Sequence, residues 1–202
     1  PPDPLPGAYL PLDRVFSVAG AGTVVTGTLQ GGPLATGGEA VLQPSGRRVH
    51  LRQLQVHGQA TDTVLPGGRV AAGLRGLSAG DVKAGEVLCA PGAYETSLLV
   101  DVELTIASDA ARPLRSTDEV RVLWGARHDI ARVRLIGAAA IAPGGRGLAQ
   151  LRFPAPVIAH AGQRATLRRP FPAETIGGAT VLDPVAPPFR TRTLEFRRDL
   201  LG

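Results

Sequence analysis

The sequence predicts an all-β fold made of two β-barrels in series. Three observations carry this expectation. The chain has 26 glycines and 18 prolines among 202 residues, so a breaker falls about every fifth residue and few helices of more than about three turns escape interruption. Hydrophobic residues still make up 44%, enough to bury a core and more than a disordered chain carries. The segments between breakers are short, alternating and rich in β-branched residues, the pattern of strands joined by tight turns. The glycines show no three-residue period, which excludes collagen, and the length allows one or two domains.

The elements follow in order. Ala8 to Val18 mixes apolar and polar residues and ends at Gly20-Ala21-Gly22. Thr23 to Leu29 is β-branched and predicts a strand, stopped by Gly31-Gly32-Pro33. Gly37-Gly38 turns the chain into Glu39–Leu42, and Pro44-Ser45-Gly46 turns it again. From Arg48 to Val56 the apolar positions are Val49, Leu51, Leu54 and Val56, and the break in period near Arg52-Gln53 predicts a bulge. A helix over that short span is the less economical reading. Pro66-Gly67-Gly68 precedes a strand over Arg69–Leu74, and a compact turn at Gly80–Gly85 leads to Glu86–Cys89. The first unit closes near Ala90-Pro91-Gly92, giving a first domain over 1–92.

The second domain is expected over 93–188. Leu98–Ile106 alternates strictly, with Val100, Val102, Leu104 and Ile106 on one face. Val120 and Val122 do the same ahead of Trp124. Arg132 and Arg134 share one parity, while Ala131, Val133 and Leu135 share the other, so arginine stems and apolar side chains occupy opposite faces. Leu148, Gln150 and Arg152 against Ala149, Leu151 and Phe153 repeat the pattern. Gly162–Arg169 predicts one more strand. Gly177-Gly178 interrupts the last apolar run, and Asp183-Pro184 and Pro187-Pro188 mark an exit. Residues 189–202 are too few for a domain and read as a truncated linker, with Thr191–Leu201 able to begin a helix.

Charge is distributed evenly. Residues 1–92 carry 7 basic and 6 acidic groups, 93–188 carry 11 and 9, and 189–202 carry 4 and 2, which completes the net +5. All the basic residues except Lys83 are arginine, and there is neither Asn nor Met. This looks like coding bias as much as function. A mild positive charge permits an RNA partner without requiring one. Cys89 is the only cysteine, so one chain can form no internal disulfide. That usage, with no signal-like opening, leads us to expect a cytoplasmic protein. No run approaches about 18 uncharged apolar residues, so no membrane partner is expected.

Few motifs carry chemistry. Gly20–Gly27 lacks the lysine and following hydroxyl residue that a phosphate-cradling loop needs after its last glycine, and Val24-Val25 belongs in a strand. His50, His57, His128 and His160 have no metal-ligand spacing. No nucleophile elbow occurs, and Cys89 reads as a buried hydrophobe. Neither catalytic residues nor a metal site are therefore expected. Two charged features remain. Asp13-Arg14 places opposite charges side by side near a strand, and Arg69 starts a strand after a Pro-Gly-Gly turn; each reads equally as a rim charge or as part of a polar site. The second feature is Arg127, Arg132, Arg134, Arg146, Arg152, Arg164, Arg168 and Arg169, which alternation makes a candidate phosphate-contacting face or a plain solvated one. With 5 Phe, 2 Tyr and 1 Trp in all, backbone contact to structured RNA fits better than base stacking.

Val15 to Thr28 resembles the opening strands of the second domain of translational GTPases. Arg52–Gly58, Gly67–Ala71, Gly76–Gly85 and His128–Leu135 extend the likeness to one branch, the bacterial selenocysteine-specific elongation factors. Thr175–Pro184 resembles the junction leading to that family's winged-helix region. The resemblance spans about residues 8 to 190. It implies two consecutive translational-GTPase-type barrels from a factor that delivers selenocysteinyl-tRNA to the ribosome at recoded UGA codons. By the same resemblance, GTP and magnesium belong to a preceding GTPase domain, and the messenger-RNA hairpin to winged-helix domains that follow. The barrels themselves are expected to bind no cofactor, to hydrolyse no GTP and to contact tRNA weakly at most. Asp13, Arg14 and Arg69 match positions of the selenocysteinyl pocket, where paired guanidinium groups attract the selenolate and Asp13 orients an arginine. Some members place a histidine where Val24-Val25 stands. The corresponding barrels of another elongation or initiation factor, a noncatalytic double-barrel interaction module, and an enzyme with distant converging groups remain open.

Overall fold

The computed structural model describes residues 4–20 and 22–188. The expected linker at 189–202 lies outside the described residues. The strands of the first half are β1 (Tyr9–Val18), β2 (Gly22–Thr28), β3 (Leu34–Ala35), β4 (Glu39–Gln43), β5 (Arg47–Val56), β6 (Gln59–Thr61), β7 (Thr63–Val64), β8 (Arg69–Arg75) and β9 (Val87–Cys89), with a 3-10 turn at Ala79–Asp81. Those of the second are β10 (Thr96–Ile106), β11 (Leu114–Arg115), β12 (Glu119–Trp124), β13 (Arg127–Ile136), β14 (Ala140–Ile141), β15 (Arg146–Ile158), β16 (Arg164–Arg169) and β17 (Glu174–Asp183). Contacts divide the chain into two compact units. One runs to Glu95 and includes Gly125–Arg127; the other comprises Thr96–Trp124 and the chain from His128 onward. Ala93–Glu95 stay with the first unit because Tyr94 donates its hydroxyl to Gly7 O at 2.8 Å and packs on Tyr9 at 5.1 Å between ring centroids.

Each unit is a closed six-stranded barrel. The first ring reads β1-β2-β8-β5-β4-β9, with β6 added outside as a hairpin on β5. Its core includes Leu10, Leu12, Val25, Leu42, Leu51 and Leu88. The break at Arg52-Gln53 is a bulge, since the β5–β8 register shifts between Leu51 and Gln53. The second ring reads β17-β10-β15-β13-β12-β16. All four predicted inward residues of β10 are buried, and Trp124 stacks on Phe153 at 5.3 Å while donating its indole N–H to Asp129. Gly177-Gly178 lies inside β17 instead of ending it. Gly177 sits at φ 146°, and a Cβ there would lie 2.1 Å from Thr105 O, so only glycine lets β17 close on β10. Among the described residues no helix is long and apolar enough to cross a membrane.

The two rings have the same cyclic order, with the first strand of one barrel standing last in the other. Local hydrogen bonds repeat with it. Gly37 N donates to Leu51 O at 2.7 Å, and Thr117 N to Val133 O at 2.7 Å, both from left-handed turns. Gly67 N donates to Leu29 O at 2.8 Å, and Gly144 N to Ile106 O at 3.1 Å. Pro66-Gly67-Gly68-Arg69 and Pro143-Gly144-Gly145-Arg146 are therefore one turn used twice.

Cys89 is buried in β9 and directed at Val41 O at 3.4 Å. Burial pushes its thiol up to about 11, leaving roughly a thousandth as thiolate near pH 8. We expect negligible reaction with a disulfide reagent at that pH until the chain is unfolded. Fast labelling of folded protein would contradict the packing of β9.

Candidate functional site and arginine faces

Strand β1 is built around a bulge. Leu12 pairs with Gly27, but the next pair is Arg14 with Thr26, leaving Asp13 as the extra residue. In an unbroken strand, buried Leu12 would send Asp13 outward and Arg14 inward. The bulge lets both charged side chains stay exposed, and it turns Asp13 toward β2 and β8.

Three strands meet at that carboxylate. Arg69, the first residue of β8, donates from Nη1 to Asp13 Oδ2 at 2.6 Å and from Nη2 to Asp13 Oδ1 at 3.0 Å. Thr26 of β2 donates its hydroxyl to Asp13 Oδ1 at 2.7 Å and lies 3.4 Å from Arg69 Nη2. Partial desolvation raises the Asp13 carboxyl, but hydrogen bonds from Arg69 and Thr26, together with the charges of Arg69 and Arg14, outweigh it and hold the group below its ordinary value. The bond to Asp13 in turn raises the Arg69 guanidinium. A guanidinium has five N–H donors, so the clamp fixes Arg69 without exhausting it. Arg14 stands beside the clamp, exposed, and makes no hydrogen bond among the described residues. Two guanidinium groups thus face one carboxylate, a site that retains positive charge.

The lowered Asp13 value gives a pH prediction. A folded-state value below the unfolded one means that the clamp stabilises above the unfolded aspartate range and loses this contribution as pH falls through the lower folded value. A carboxyl-carbon NMR titration of Asp13 should have its midpoint below the ordinary 3.8. A midpoint at or above that value would mean that Arg69 is not held in solution.

An apolar groove adjoins the clamp on the same face. Phe16 pairs with Val24, Val24 with Gly73 and Gly73 with Gln53, forming one row across four strands. The next row is Arg14, Thr26, Ala71 and Gln55. Phe16, Val18, Val24, Gly73, Gln53, Ala71 and Gln55 line a cavity of about 140 Å³. Phe16 and Val18 are each 40% exposed, unusual for large apolar side chains on a barrel wall. Nothing local in the sequence marks Thr26 or this groove as part of a site. The residues around Val24 read locally as a strand, and the groove exists only where four distant strands align.

The arginines of the second unit do not form one face. Arg132 and Arg152 are directly opposite on β13 and β15, with Arg134 opposite Gln150. Arg146 starts β15, six residues or about 20 Å from Arg152 along the strand. Arg164 begins β16 opposite Thr180, and partly buried Arg168 lies opposite Arg121. Arg127 opens β13 and groups with the first unit. Arg169 must be withdrawn as an RNA-contacting residue. It is 4% exposed, ion-paired with Glu174, and donates to Arg112 O at 2.6 Å. Its parity in β16 is that of inward Ala165 and Leu167, so it closes the barrel end.

Residues 101–188 match the family model described as the selenocysteine-specific elongation factor β-barrel domain. Over 176 residues, 87% of its length, the chain is 38% identical to the selenocysteine-specific elongation factor of Desulfomicrobium baculatum. The chain corresponds to the β-barrel region of selenocysteine-specific elongation factors. The relative from Haemophilus influenzae is 28% identical over 95% of the chain. In structure, 97% of the chain superposes on bacterial selenocysteine-specific elongation factor EF-Sec with a TM-score of 0.82, a likeness of fold at 24% identity. A shorter likeness joins the chain to elongation factor 1-alpha of Pyrobaculum calidifontis, 37% identical over 79 residues. The chain spans 28% of the Desulfomicrobium factor and 31% of the EF-Sec chain.

Proposed function

We propose that the Asp13–Thr26–Arg69 clamp, with Arg14 beside it, forms part of the pocket for the selenocysteinyl end of tRNA. The factor would deliver that tRNA to the ribosome at recoded UGA codons, using GTP and magnesium bound by a GTPase domain. The bidentate hold of bulged Asp13 on Arg69 is the observation that carries this reading. It presents a preoriented guanidinium with donors to spare beside the exposed guanidinium of Arg14. A selenolate is an anion and takes charge-assisted hydrogen bonds from such groups, whereas a serine hydroxyl is neutral. The groove lined by Phe16 and Val24 offers an apolar wall for a base next to the aminoacyl group. Exposed arginines such as Arg146 and Arg164 would add contacts to phosphate.

The test compares binding of selenocysteinyl-tRNA with the same tRNA carrying serine, at fixed salt. It uses both this chain and a full-length factor containing it. Preference for selenocysteine supports the pocket. Equal, salt-sensitive binding of both reduces the region to a phosphate-contacting surface. No binding by the full-length factor rejects the role and leaves an interaction module.

A further inference from the structure

One carboxylate on the outer wall of the second barrel is hidden from water. Val100, Val102, Leu104 and Ile106 belong to the core, so Asp101 points outward with Glu103 and Thr105. Those two are exposed, yet Asp101 is fully buried. Gln150, opposite Asp101 on β15, is outward by the same rule and buried too, although Arg152 on that wall is exposed. The cover is the segment after β17. Buried Ala186 donates its N–H to Leu99 O at 3.2 Å. Gln150 Nε2 donates to Asp101 Oδ1 at 2.8 Å and to Pro187 O at 3.1 Å. Residues 184–188 thus form a strap laid across the outside of β10 and β15.

The strap is fastened differently from the strands beneath it. Pro184, Pro187 and Pro188 have no N–H, so the segment cannot continue the ladder of β17. Val185 turns its N–H back to Asp183 Oδ1 at 2.9 Å and leaves its side chain exposed. A carboxylate under the strap makes the fastening reversible. With the strap closed, hydrogen bonds must offset the solvation that the buried charge has lost. With the strap lifted, water solvates the same carboxylate, whereas lifting a strap from an apolar patch would cost its hydrophobic burial. That brings the open form closer in free energy to the closed one, the condition for local opening while the barrel stays intact.

We propose that residues 184–188 release from the barrel as a unit, with Asp101 and Gln150 as their catch. Latched, the strap fixes the point where the chain leaves the barrel at Pro188, which lines one groove with Leu98 and Leu99. Released, the chain leaves from Asp183, and the freed residues add a reach of about 17 Å to the connection. The catch lies wholly in the second barrel and does not depend on the aminoacyl reading.

Native-state hydrogen exchange of the 202-residue chain reads strap and barrel separately. The Ala186 amide reports the strap. Val133 N, donating to Asp118 O at 2.9 Å, and Val181 N, donating to Gln163 O at 2.9 Å, report the barrel. In the unaltered chain the protection of Ala186 should be about 100-fold lower than that of the other two. Gln150→Leu removes the donor that joins wall to strap and should lower Ala186 protection about tenfold further, with a much smaller change at Val133 and Val181. Glu103→Gln, on the same wall but outside the strap, should leave all three amides as they are. Carbodiimide coupling of glycine ethyl ester, followed by mass spectrometry, supplies a second readout. Asp101 should react slowly in the folded chain and about tenfold faster in Gln150→Leu. Exchange of Ala186 in step with Val133 and Val181 in the unaltered chain would make the strap an integral part of the barrel and overturn the proposal. So would a Gln150→Leu variant in which neither Ala186 exchange nor Asp101 labelling changes, or in which all three amides lose protection equally.

Discussion

Replacing Arg69 with alanine should erase the preference for selenocysteinyl-tRNA over seryl-tRNA, lowering affinity for the former roughly 10- to 100-fold, the scale of a lost charge-assisted hydrogen bond. Affinity for the latter should change little, because a neutral hydroxyl gains far less from the guanidinium. Arg69→Lys should recover only part of the preference, since an ammonium cannot span both Asp13 oxygens while presenting further donors in a fixed plane. Asp13→Asn separates charge from orientation. It adds net positive charge, which by simple attraction would strengthen anion binding, yet it loosens Arg69 and should weaken discrimination. Retained discrimination in Asp13→Asn would show that positive charge alone suffices. Equal losses for both tRNAs in Arg69→Ala would make Arg69 a phosphate contact and defeat the pocket assignment.

The parts of this site differ in how far they can be read from sequence. Strand alternation exposes barrel walls because it is local: Val100 to Ile106 and Ala131 to Leu135 declare their buried faces within a few residues. The bulge at Arg52-Gln53 declares itself in the same way. The bulge at Asp13 is harder to see, although buried Leu12 and half-buried Val15, spaced three apart, carry its trace. Its consequence depends on Thr26 and Arg69, which only the closed ring brings together. Arg169 shows a signal that charge obscured, since its parity matches Ala165 and Leu167. Asp101 gives no local signal. It is fully buried, accepting from Gln150, which also donates to Pro187 O on the exit segment. The duplicated ring order is hidden for a topological reason, because the repeat is permuted and the matching strands occur in a different chain order.

Gly27→Ala should cost the first barrel about 2–4 kcal/mol, because a Cβ cannot be added there without moving backbone. It would lie 2.1 Å from Pro11 O and 3.0 Å from a Leu10 methyl. The first is backbone, and the second belongs to fully buried Leu10, which has little room to turn aside. Gly27 pairs with Leu12 just before the bulge, so relief by shifting β1 also displaces Asp13 relative to Thr26 and Arg69. Stability and site geometry should therefore fail together. The melting temperature of the unit should fall by about 10 °C or more, and the Asp13 carboxyl should return toward the ordinary aspartate range in whatever fraction remains folded. Gly68→Ala is the matched control: a Cβ there meets nothing within 4 Å, and its backbone needs no left-handed conformation. If Gly27→Ala melts like Gly68→Ala, the approach of β1 to β2 is looser than described. The glycine of the Thr26-Gly27-Thr28 motif would then have to be explained by something other than the carbonyl it faces.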